Sequence, residues 1–192
     1  MRLRKVLAQL RVAPPYILVG HSWGGVLVRY FAAANSEEVA GVLYIDPTDI
    51  TLSPAEEVAI FESIGADRSA RDAFYQIQER VMANASGPLR AETTVILDLM
   101  RLDAADRGLP PAADVPTSVI VAGKAAIFPP NVLPFDTAAY AAAMQANRVQ
   151  RLRSWVIAPG EYILASNSGH SVHAEDPNLV VEAIQHLIRN SP

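Results

Sequence analysis

A serine hydroxyl attacks an acyl carbon only when a base removes its proton, and the usual base is a neutral imidazole oriented by a carboxylate. The sequence offers one serine in a setting suited to that work. Ser22 stands in Gly20-His21-Ser22-Trp23-Gly24-Gly25, between the apolar run Tyr16 to Val19 and a second apolar run, Val26 to Ala34, with helical character. This pattern predicts strand, tight turn and helix. The residue at the apex of so sharp a reversal is held in a strained conformation with its side chain clear of the sheet. Bulky side chains two positions to either side would collide with the strand and the helix, so Gly20 and Gly24 are the types that fit. The backbone N–H of Trp23 then opens the helix and points to where a negatively charged oxygen could form.

Four histidines are candidates for the base. His21 adjoins the serine, but its side chain should point away, which suits packing or a structural hydrogen bond. His186 falls in mid-helix and should be partly solvated. His170 and His173 remain, in a loop that follows an apolar run. With Glu175 they could also be read as metal ligands, but they lack the helical His spacing of a zinc site, so no metal and no cofactor are expected. The acid is open among three aspartates. Asp46 ends an apolar run and precedes Pro47, where it could equally be a turn residue. Asp136 and Asp49 are the alternatives.

The elements that must position these groups follow from apolar periodicity and from the breakers. Leu3, Val6, Leu7 and Leu10 recur at helical spacing, and Ala13-Pro14-Pro15 ends that helix. Val39 to Ile45 is an unbroken apolar run, the mark of a strand buried on both faces. From Thr51 to about Pro110 the pattern becomes helical throughout. Ser53-Pro54-Ala55-Glu56 opens the first helix, with further helices over about Ser69 to Ala83 and Pro88 to Leu102, broken at Ser86-Gly87-Pro88. Alternation then resumes. Pro116 to Val121 reads as a strand, Asp136 to Arg151 as a helix and Glu161 to Ala165 as a strand. A last helix starts at Asp176-Pro177, with Leu179, Val180, Ala183, Ile184, Leu187 and Ile188 as its buried face. The fold class is α/β with a mostly parallel sheet of about four strands flanked by helices. Residues 1–50 and 111–192 form the core, and 51–110 form a helical insertion expected above the carboxyl edge of the sheet. Ser22, Asp46 and His170 all follow strand ends, where open α/β sheets bind ligands.

At this point the sequence resembles the α/β-hydrolase superfamily, whose nucleophile elbow reads much like Gly20-His21-Ser22-Trp23-Gly24-Gly25. The resemblance implies Ser22 as nucleophile and places base and acid in the order Ser, acid, His. His170, in its Gly-His context followed by Glu175-Asp176-Pro177, is similar to the catalytic histidine of the superfamily. The usual acid position falls in Gly123 to Phe128, which holds no carboxylate. Asp46 matches a position that some members use instead. The resemblance starts part-way into the family pattern, because only one helix precedes the elbow strand. Strands that normally flank it, and the loop that supplies a second oxyanion donor, have no counterpart here. The chain therefore reads as the carboxyl-terminal half of the fold. The elbow strand is expected at an apolar sheet edge that a second copy or another chain could cover, and activity of the isolated chain is expected to be low.

Composition bounds the rest. The chain has 192 residues, 51% of them hydrophobic, and a net charge of −4, which suits a globular domain with a real core. No basic face is present to neutralise phosphates, and Arg148, Arg151 and Arg153 read as a solvated helix surface, so no nucleic-acid partner is expected. Cysteine is absent, which removes disulfides and a thiolate nucleophile. No apolar run approaches the roughly 20 residues of a membrane span. With no signal-peptide core in the first residues, a cytoplasmic location is expected. The functional expectation is a serine hydrolase acting on an ester or similar acyl substrate, with Ser22, His170 and Asp46 as triad and Trp23 N–H as oxyanion donor. Acyl transfer or perhydrolysis on the same residues is an alternative. An inert half-domain that acts as a binding or assembly piece is another.

Overall fold

The structure, a computed structural model, describes residues 2–83, 87–103, 106–126 and 133–191. Ser86, Ile127 and Phe128, each used above, lie outside the described residues.

The chain divides into two compact units. The first, residues 1–48, 110–124 and 149–192, is built on a parallel sheet of four strands in the order β1 (Tyr16–His21), β2 (Val39–Ile45), β3 (Thr117–Ala122), β4 (Tyr162–Ala165). Helices α1 (Arg2–Gln9), α2 (Trp23–Ala34), the short α7 (Val172–Glu175) and α8 (Pro177–Asn190) belong to it. Successive side chains of a strand point to opposite faces, so a strand apolar at every position needs cover on both. The two central strands, β2 and β3, obey this rule. Val42, Tyr44, Val119 and Val121 pack with Phe31 and Ala32 of α2, while Leu43, Ile45, Ile120 and Ala122 pack with Val180, Ala183 and Leu187 of α8. On the first of these faces Trp155 meets Tyr44 edge-on at 5.3 Å between ring centroids, and the Arg29 guanidinium lies 5.1 Å from the Trp155 ring.

The second unit comprises 49–109 and 125–148. It contains α3 (Pro54–Ser63), α4 (Arg68–Ala83), α5 (Gly87–Arg101) and most of α6 (Thr137–Arg151). The start of α3 is set by a reciprocal cap: Glu56 N–H donates to Ser53 Oγ at 3.2 Å, and Ser53 N–H donates to Glu56 Oε2 at 2.8 Å. Residues 125–148, read from sequence as part of the alternating core, cluster with this unit. The physical reason is aromatic: Tyr140 of α6 stacks on the fully buried Phe61 at 4.7 Å, beside Leu52, Ile60 and Ala70. A buried ion pair sits among these helices. Arg71 Nε donates to Glu57 Oε2 at 2.7 Å, and Tyr75 Oη donates to the same carboxylate at 3.0 Å. Arg107 donates to the carbonyls of Ile50, Leu102 and Met100. Among the described residues no helix is long and apolar enough to cross a membrane.

Two details differ from expectation. Ile188 is 60% exposed. It follows Leu187 by one residue and so turns about 100° away from the stripe formed by Val180, Ala183 and Leu187. The second concerns the glycines of the turn. A Cβ on Gly20 would lie 2.5 Å from the Gly24 carbonyl oxygen, as the collision argument requires, but a Cβ on Gly24 would meet nothing within 4 Å. The second tight glycine is Gly25, whose Cβ would come within 2.8 Å of Pro47 Cβ. The helix leaves the turn with its Gly25 face, not its Gly24 face, against the strand-end loop.

Accordingly Gly20→Ala and Gly25→Ala should each lower stability by about 1 to 3 kcal/mol through overpacking. Gly24→Ala should leave it within about 0.5 kcal/mol or raise it. Urea denaturation of the three variants checks the ranking.

Candidate active site

The strands end in near alignment. His21 is in register with Ile45, and Ile45 with Ile120, so Ser22 and Asp46 follow at neighbouring strand tips. Ser22 N–H donates to the Ile45 carbonyl at 3.1 Å, and Asp46 N–H to the Ile120 carbonyl at 2.7 Å, which carries the ladder one residue beyond the strands. Both residues then leave extended geometry. Ser22 has φ 53° and ψ −125°, and Asp46 has φ 40°. Positive φ at a non-glycine residue costs on the order of 1 to 3 kcal/mol and persists only where surrounding bonds over-determine it. Here the Ser22 carbonyl accepts from Gly25 N–H and Thr48 N–H, fixing the apex from both sides.

Asp46 is 2% exposed, and each oxygen of its carboxylate accepts a hydrogen bond. Oδ1 accepts from Ala122 N–H at 3.0 Å, and Oδ2 accepts from His170 Nδ1–H at 2.6 Å. The second bond spans 124 residues and assigns the His170 tautomer, leaving Nε2 as the atom able to take a proton. The His170 side chain itself is 57% exposed, so partners rather than packing hold it. Its loop is tied at several points. The Ser168 carbonyl accepts from Gly123 N–H and Lys124 N–H, and Gly169 N–H donates to Glu175 Oε2 at 3.0 Å. The carbonyl of His170 accepts from His21 Nε2–H at 2.8 Å.

His21 therefore sits in the site, its ring 4.6 Å from that of His170 and 4.5 Å from that of His173. Burial is the main cause that lowers its pKa below the ordinary 6.5, and the neighbouring imidazoles act in the same direction. The bond to the His170 carbonyl and the Asp46 charge oppose them. A neutral ring with its proton on Nε2 keeps the bond to the His170 carbonyl. Ser22 Oγ is not hydrogen-bonded to His170 here.

The structure thus brings His170 and Asp46 into contact at the tip of the strand that neighbours Ser22. The other aspartates have local duties: Asp49 accepts from Thr51 N–H, and Asp136 accepts from Ala138 N–H and Ala139 N–H at the start of α6. His186 donates to the Pro159 carbonyl. Glu175 holds Gly169, and among the described residues no group of three or more His, Asp or Glu is arranged to hold a metal ion. Trp23 begins α2, where the first N–H groups have no partner within the helix.

The match to the family model described as "Alpha/beta hydrolase family" runs over residues 2–183. The chain belongs to that family. It is also 29% identical, over 150 residues, to an uncharacterised protein of Schizosaccharomyces pombe, in a match covering 64% of this chain and 26% of that protein, so the chain spans about a quarter of that relative. Among solved structures it is similar to an esterase of Exiguobacterium antarcticum, with 18% identity, 98% of this chain and 72% of that one covered, and a TM-score of 0.53. It is likewise similar to a probable hydrolytic enzyme of Pseudomonas aeruginosa PAO1, with 14% identity, 97% and 67% covered, and a TM-score of 0.52. At these identities the likeness is one of fold.

The lowered pKa of His21 has a sign. The unfolded chain binds the proton near pH 6.5 and the folded chain only below it, so the unfolded state gains protons first as pH falls. Stability should therefore be full above pH 6.5 and decline below it, with part of that slope absent in His21→Gln. Denaturation midpoints taken across this window, together with an NMR titration placing His21 below 6.5 in the Nε2–H form, check it.

Proposed function

We propose that this chain carries the catalytic centre of a serine hydrolase that cleaves an ester or similar acyl substrate. The observation that carries this reading is the 2.6 Å bond from His170 Nδ1–H to a carboxylate buried to 2% exposure, formed beside the strained apex that presents Ser22. A buried carboxylate that accepts from Nδ1–H both orients an imidazole and stabilises its protonated form.

In this mechanism Ser22 Oγ attacks the acyl carbon while its proton passes to His170 Nε2. The carbonyl oxygen becomes an oxyanion facing the Trp23 N–H, a donor already in place before charge develops. When the intermediate collapses, the bond to the alkoxide breaks and His170 returns the proton to that leaving oxygen. The acyl group remains on Ser22. A water molecule, deprotonated by His170, then attacks the acyl carbon, and collapse of the second intermediate releases the acid and restores Ser22. Asp46 keeps the Nδ1–H bond throughout and does not itself take the proton. Acyl transfer to another acceptor would use the same groups with a different nucleophile in the second half.

A fluorophosphonate probe should label the wild-type chain and not Ser22→Ala. With short-chain nitrophenyl esters, Asp46→Asn and His170→Ala should each lower kcat by about 10⁴-fold, the scale on which triad members act. No labelling of a folded wild-type chain would refute the proposal and favour an inert binding piece.

A further inference from the structure

If His170 is the base, its exposure raises a question of support. Asp46 fixes the imidazole at one nitrogen, but a single bond at Nδ1 leaves the ring free to swing with its backbone. The loop that carries it has two kinds of anchor. Ser168 is tied to Gly123 and Lys124, just past the end of β3, and Gly169 to Glu175 of α7. The remaining anchor comes from the strand that bears the nucleophile: His21 Nε2–H on the carbonyl of His170 itself.

From this geometry we infer that His21 is a positioning residue, which holds the backbone of the catalytic base at a fixed distance from the nucleophile through its Nε2–H donor. The inference rests on the reading of His170 as base. His21 is the residue before Ser22 and the last of β1, so its Cα is fixed by the sheet and by the same strained turn that presents the hydroxyl. A bond from its ring to the base's own carbonyl therefore links nucleophile and base by a short covalent path, with one peptide unit between His21 and Ser22 and none between that carbonyl and His170. Three ionisable groups face the ring: His170, His173 and Asp46. A carbonyl oxygen only accepts, so the bond requires the proton on Nε2.

Reach separates the donor from the ring. A glutamine amide extends about as far as histidine Nε2, an asparagine amide only as far as Nδ1, and phenylalanine keeps the ring with no donor. His21→Phe and His21→Asn should lower kcat by about 10²-fold, the loss that a misplacement near 1 Å produces, with KM little changed. His21→Gln should recover most of that loss. A second readout needs no turnover: the far-downfield proton of the His170 Nδ1–Asp46 bond should be sharp in the wild-type chain and in His21→Gln, and broadened by exchange in His21→Phe. Wild-type kcat and a sharp proton signal in His21→Phe would overturn the inference, as would a Gln variant as impaired as Phe. Failure of the wild-type chain to react with the fluorophosphonate would instead sink the hydrolase reading, while the downfield signal would still report whether His21 positions the loop.

Discussion

The bond between His170 and Asp46 is the constraint on which the rest of this site depends. A carboxylate taken out of water is costly unless its oxygens are satisfied. Asp46 meets that requirement with one donor from the backbone of β3 and one from an imidazole 124 residues away. Neither donor is available until the sheet has assembled, since Ala122 reaches Asp46 only through the β2–β3 register. The buried charge thus ties the geometry of the candidate site to correct pairing of the strands. It also keeps Asp46 at a positive φ that a residue with a Cβ would otherwise leave.

Around this bond the molecule distributes rigidity unevenly. Ser22 and Asp46 stand on strand tips of a sheet with helices packed against both faces, and the strand that carries Asp46 is almost wholly buried. His170 stands on an exposed loop and has no comparable packing. In the proposed mechanism the contrast suits a base that receives and releases a proton while a substrate and a water come and go. The hydrogen bonds at Ser168, Gly169 and His170 give the loop definition without burying the ring.

Much was legible in the chain. The Gly-x-Ser-x-Gly turn, the two-faced apolar run of β2 and the capped start of α3 follow from local spacing, and the order Ser, Asp, His from the family resemblance. They carry the fold class and the identity of Ser22, Asp46 and His170 as candidates. The glycine roles were harder to read. Gly24 and Gly25 are adjacent and alike in sequence, and only the approach of Pro47 from another strand end shows which one is constrained. Glu175 gave a comparable difficulty: six residues from Gly169, it has no local signal for the backbone N–H it accepts. For His21 the sequence indicates packing or a structural bond, and nothing in its flanking residues points to a carbonyl 149 positions further along.

The sequence by itself determined what each segment could become, because helix, strand and turn preferences act over a few neighbouring residues. It determined too which side chains had chemistry to offer. The tertiary structure alone decided which of those side chains meet. Choosing Asp46 over Asp49 or Asp136 as the partner of His170, and turning the His21 ring onto the carbonyl of His170, depend on distances set by strand order and register. Those are outcomes of burying both faces of a sheet, and no local pattern encodes them.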